Sequence, residues 1–266
     1  MSIQWSLVLF TALVGLGSWL FVFVAADGFL KKAPAGTAVP TALIAGAVVL
    51  VGGVCSVFHL GNPQRIFNAL THVGMGIFLE MALIGVTLVC IVVFVVLLHR
   101  GQEQPARVVG VIGAACAAVL SFAMGSSYLM AARPNWDTVL LPIGYGTTSM
   151  AMGAAAWLAV LGARKASDDA LKTYGLIAAA FGVVALACVL AYGLSVGAAG
   201  EAYLWVAAAL GGAAPALLCY LAQARREQCT ATASSALVLA LAGAIAFRML
   251  MWVLGTPLTD AFGVVL

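Results

Sequence analysis

The sequence predicts an all-α integral membrane protein: a bundle of eight transmembrane helices with both termini outward. Three observations carry that reading. Of 266 residues, 64% are hydrophobic and only 8% are charged, whereas a soluble domain needs about 25% charged residues to cover its surface. The mean hydropathy is +1.14, and apolar runs such as 42–57 and 84–98 are unbroken. In hydrocarbon, backbone N–H and C=O groups must pair within the segment or in a closed barrel. A barrel would show short strands of alternating polarity, which these runs exclude.

A helix that crosses the hydrocarbon needs about 20 apolar residues. The runs place spans at 5–29, 39–60, 73–98, 108–131, 138–163, 174–196, 203–222 and 231–254. Pro34, Pro40, Pro63, Pro105 and Pro134 fall in or beside the connections, where a missing N–H costs least. The first run has no basic segment ahead of it, so it reads as a permanent helix rather than a signal peptide. The connections are too short to hold a soluble domain, so residues 1–266 read as a single polytopic membrane domain.

Basic residues set the orientation. Lys31, Lys32, Arg100, Arg107, Arg164, Lys165, Lys172, Arg225 and Arg226 lie in or beside the first, third, fifth and seventh connections, and the other side holds Arg65, Arg133 and Arg248. The first group is expected to face the cytoplasm, which sends both termini outward. A net charge of +3 gives no ground for nucleic-acid binding. The six cysteines form no C-x-x-C pattern, so no iron–sulfur cluster is encoded, and they read as small buried hydrophobes. Most of the 29 glycines read as close-packing positions between helices.

The polar outliers gather on the outward side. The second connection runs His59-Leu-Gly-Asn-Pro-Gln-Arg65-Ile-Phe-Asn68, and Glu80 follows inside the third apolar run, roughly 10 Å from its start at 1.5 Å per residue. An acid placed there is costly unless paired or protonated, and it marks a functional site by default. Arg248 sits at a comparable depth in the last run. Each has a plainer reading: His59 at the interface, Arg65 as a headgroup anchor, Glu80 as a structural partner of Arg248. Their convergence favours a joint role. A quinol must be held by its two hydroxyls while it loses two electrons and two protons. A neutral His59 accepts a hydrogen bond from one hydroxyl, and Glu80 takes the proton onward. A solute or proton transporter using Glu80 and Arg248 is the alternative; it predicts broken helices near the midplane. Haem is disfavoured, because only three histidines exist and they stand at span ends.

The ten residues 59–68 resemble the H-L-G-x-P-x-R-x-F-N signature of the membrane anchor subunits of dimethyl-sulfoxide reductase complexes. Pro134-Asn-Trp136, Pro142-Ile-Gly144 and Thr148 resemble that family's P-x-W…P-x-G…T stretch, and Arg248 resembles an arginine near the end of its last helix. The resemblance implies an anchor of the bacterial cytoplasmic (inner) membrane that binds and oxidises menaquinol to menaquinone. It implies a haem-free chain and two partners: a multi-cluster, ferredoxin-like iron–sulfur electron-transfer subunit and, through it, a molybdopterin catalytic subunit. It carries a quinol role over to His59 and Glu80, with Arg65 and Arg248 completing the site. The chain itself is then non-catalytic toward the terminal substrate. The outward connections, including 62–71 and 133–137, are expected to meet the iron–sulfur partner.

Overall fold

A computed structural model describes residues 3–58 and 76–255. Among them, eight helices are long and apolar enough to cross a membrane. They are α1 (Trp5–Leu30), α2 (Ala38–Val57), α3 (Gly76–His99), α4 (Glu103–Ser126), α5 (Leu140–Ala163), α6 (Asp168–Ser195), α7 (Ala202–Ala224) and α8 (Cys229–Leu254). The chain is therefore a multi-pass membrane protein. The described residues contain no strand.

Two helices begin earlier than their apolar runs suggest, for the same reason. Helix α6 starts at Asp168 because Ser167 caps it, its side chain accepting from the Ala170 amide at 3.2 Å, with Asp168 and Asp169 in the first turn. Side-chain oxygens and acids there satisfy free amides and complement the helix dipole. Helix α4 starts at Glu103; Pro105 stands in its first turn, where no N–H is needed, and Glu103 pairs with Arg107 at 3.2 Å. Hydropathy sees only the hydrocarbon-spanning part, so these polar first turns escape it.

The core is built on α1 and α5. Their most apolar windows are 67% and 72% buried, against 17% for α3, which turns Val89 and Val92 outward. Small residues bring the backbones together. A Cβ on Gly153 would lie 2.3 Å from Trp19 Cβ, and one on Gly17 would lie 2.6 Å from the Ala45 carbonyl oxygen. Two apolar clusters fill the interior. One, toward the end holding the α1–α2 turn, gathers Phe21, Phe94, Trp157 and Tyr174; the other, toward the end holding the α1 N-terminus, gathers Tyr145, Tyr192, Phe247 and Trp252. The first end is called basic below and the second terminal.

Helix α7 departs from α geometry at Ala209–Ala213, a π-helical segment followed by Pro215. Proline cannot donate to the carbonyl four residues back, and the widened turn absorbs that loss. The segment carries no charged residue. It serves packing instead: Gly212 meets the Leu186 backbone, and a Cβ on Gly243 would lie 2.0 Å from the Gly211 nitrogen. Gly243→Leu should therefore push α8 off α7 and destabilise the protein by about 1–3 kcal/mol. The measurement is the thermal midpoint of the solubilised protein; an unchanged midpoint would show that this contact does not hold the two helices.

Candidate functional site

Arg248 is fully buried in α8. Its Nε donates to Thr11 Oγ1 at 2.8 Å, Nη2 to the Thr11 carbonyl at 3.2 Å, and Nη1 to the Ala244 carbonyl at 2.9 Å. Its guanidinium carbon stands 4.5 Å from the centre of the Tyr145 ring, a cation–π contact that strengthens in a dry setting. Arginine has five N–H donors, so these three bonds leave capacity for another acceptor. Among the described residues no carboxylate lies within ion-pair distance of it. The structural pairing of Glu80 with Arg248 that the sequence left open is therefore not formed. A fully buried cation without a carboxylate is costly, and inside a membrane such a group is by default functional.

Small residues open the space for it. Gly15 of α1 faces Ser149 of α5, and a Cβ there would lie 2.2 Å from Ser149 Oγ and 3.9 Å from Arg248 Nη2. Gly144 lets α8 approach α5, since its Cβ would lie 2.3 Å from the Phe247 ring. That approach puts Tyr145 beneath the guanidinium. The P-x-G stretch thus acquires a physical role: proline in the first turn of α5, glycine at the crossing, and the ring next to it.

Glu80, 9% exposed, stands in the second turn of α3, near Ser127, whose hydroxyl donates to the Ala123 carbonyl at 3.3 Å. Tyr128 and Tyr145 each lie close enough to feel the charges of both Glu80 and Arg248. The two rings pack against each other with centroids 5.8 Å apart. Burial pushes the Tyr128 phenol well above its ordinary range; Tyr145 and then Glu80 push the same way, and Arg248 opposes them. Tyr128 is therefore a protonated donor at neutral pH. The site joins an acid from α3, hydroxyls from the end of α4, a phenol from α5, a threonine from α1 and the guanidinium from α8. Of the sequence-predicted set, Glu80 and Arg248 both act on the Tyr128–Tyr145 pair, with no ion pair between them. His59 and Arg65 lie outside the described residues.

The connection between α4 and α5 holds this end shut. Trp136 Nε1 donates to the Met251 carbonyl at 2.7 Å, Asn135 Nδ2 to the Leu254 carbonyl at 3.0 Å, and Arg133 Nη1 to the Gly255 carbonyl. These are carbonyls at the C-terminal end of α8, where the last four cannot be satisfied within the helix. Arg133 also lies over the Trp136 ring, which packs edge-on against Trp252 and Tyr128. Arg133, one of the three arginines expected on the outward side, thus serves as a helix cap. Nothing in the sequence pointed to Thr11, Ser127 or Tyr128. Tyr145 directly follows the P-x-G stretch, but nothing in the sequence singled it out.

These residues lie within the reach of a known family: the model of the DMSO reductase anchor subunit (DmsC) matches residues 1–255. The chain belongs to the DmsC family. No curated protein matches it. As a DmsC-family protein it is a membrane anchor of a DMSO reductase complex, associated with the reductase's catalytic subunits. Among the described residues, no group of three or more His, Cys, Asp or Glu is placed to hold a metal ion.

Proposed function

We propose that this anchor binds and oxidises menaquinol at the terminal end of the bundle. Its electrons pass to a multi-cluster, ferredoxin-like iron–sulfur subunit and on to a molybdopterin catalytic subunit. The observation that carries this reading is Arg248: a fully buried guanidinium with donors to spare, stacked on Tyr145 and sharing its neighbourhood with Glu80. Such a group suits a quinone oxygen. The spare N–H groups hold one oxygen of the bound head, the aromatic walls hold the ring, and Glu80 receives a proton as the ring gives up two electrons. His59 and Arg65, from the connection that leads into α3, complete the site at the other oxygen.

The complex is placed in the bacterial inner membrane, with the basic end facing the cytoplasm and both termini outward. The iron–sulfur partner then docks on the terminal end, where Ala131, Ala132, Pro134 and Asp137 remain exposed around the residues that cap α8.

His59→Ala is the direct test. A general acid or base is worth about 100-fold or more in rate, so quinol-driven turnover of the purified complex should fall by at least that factor. Turnover driven by a soluble dye that reduces the iron–sulfur subunit directly should stay normal. Normal quinol-driven turnover in the variant would place His59 at the interface and not in the site.

A further inference from the structure

The turn between α1 and α2, at the basic end, closes over a cavity that the quinol reading does not use. It measures about 310 Å³ and is bounded by α1, α3 and α4 and by the first residues of α2. Val24, Phe94, Leu98 and Ala106 contribute an apolar floor, and Lys31, Glu103 and Arg107 stand at its walls. Thr37 occupies the N-cap position of α2 and lines the cavity. An N-cap threonine ordinarily accepts from a first-turn amide. Thr37 makes no such bond; it is fully buried, and its Oγ1 has no partner.

The donors around that orphaned hydroxyl share one preference. The 20-residue helix α2 starts at the cavity, where it presents the Ala38 amide, which the helix cannot use, and the positive end of its dipole. Lys31 has no ion-pair partner among the described residues, and Arg107 spends one arm on Glu103 at 3.2 Å. The other carboxylate of the wall is already engaged. Asp27 accepts from the Lys32 and Ala33 amides, both at 3.1 Å, and from the Tyr174 hydroxyl at 2.7 Å. A helix N-terminal amide, two cations and a free hydroxyl make a site for a phosphate.

We propose that this cavity binds the phosphodiester headgroup of a phospholipid from the leaflet at the basic end, held by Lys31, Arg107, Thr37 and the first turn of α2. The floor decides between a lipid and a soluble phosphate ester. The phosphate lies beside apolar side chains at a level where α1 and α4 enter the membrane, so the glycerol and first methylenes of a lipid cover surface that a free phosphate leaves wet.

Native mass spectrometry of the delipidated complex in neutral detergent tests this, with dioleoylphosphatidylglycerol, dioleoylglycerol and inorganic phosphate as separate probes. The phospholipid should bind, and dioleoylglycerol should bind at least about tenfold more weakly, the loss expected for charge-assisted hydrogen bonds. Lys31→Gln with Arg107→Gln should weaken phospholipid binding by a similar factor. Thr37→Val, which keeps the shape and removes the hydroxyl, should weaken it less while leaving the thermal midpoint unchanged. Arg226→Gln, on a different basic connection, should have no effect. Equal binding of dioleoylglycerol, or an equal loss in Arg226→Gln, overturns the site. Inorganic phosphate binding as tightly as the phospholipid overturns the lipid assignment.

Discussion

Arg248→Met should cut quinol-driven turnover by about 100-fold or more while leaving the anchor as stable as before, or more stable. The two halves of that result have separate causes. Transition-state donors in a dry site are each worth about 100-fold or more, and the quinol reading assigns the spare donors of this guanidinium to the substrate oxygen. Stability goes the other way, because the variant orphans nothing. Thr11 Oγ1 still donates to the Leu7 carbonyl at 2.9 Å, and the Ala244 carbonyl keeps its place in the α8 ladder. Replacing a buried ion by an apolar chain of similar volume is often neutral or stabilising. The measurements are quinol-driven turnover, dye-driven turnover and the thermal midpoint of the purified complex. A lower midpoint with normal turnover would make Arg248 a structural bridge between α1 and α8. Arg248→Lys separates charge from geometry: it keeps the cation but loses the planar fork, and it should recover only part of the rate.

Glu80→Gln should lower kcat by about 100-fold or more and leave KM within a few-fold of normal. Glutamine keeps the shape of the side chain, but it cannot accept the proton that quinol oxidation releases. Glu80→Ala removes both and should raise KM as well. The comparison is informative because the two variants separate proton transfer from binding. Equal loss of quinol binding in both would assign Glu80 a hydrogen-bonding role alone.

Much of the architecture was written in the order of the apolar runs. Eight runs gave eight helices, and the departures are at polar ends such as Ser167–Asp168 and Glu103–Arg107, which extend into water. The presence of a costly acid and a costly cation was equally legible, since in a chain with so few charges Glu80 and Arg248 stand out against their neighbours. What surrounds them was not. Thr11 and Arg248 are 237 residues apart, and Asn135 and Leu254 are 119 apart. Hydropathy is a local sum and carries no record of such contacts.

The sequence by itself determined the solvent, the number of crossings and the residues too expensive to be idle, because in lipid each backbone polar group and each charge must be satisfied or used. The tertiary structure alone decided that Arg248 lies on Tyr145 and not against Glu80, and that Trp136 closes the end of α8. It also decided that Thr37 lines a cavity and that its hydroxyl is buried there without a partner. Those outcomes depend on which glycines let which helices touch. Packing against a neighbour fixes them, and the neighbour is chosen by shape across the whole bundle.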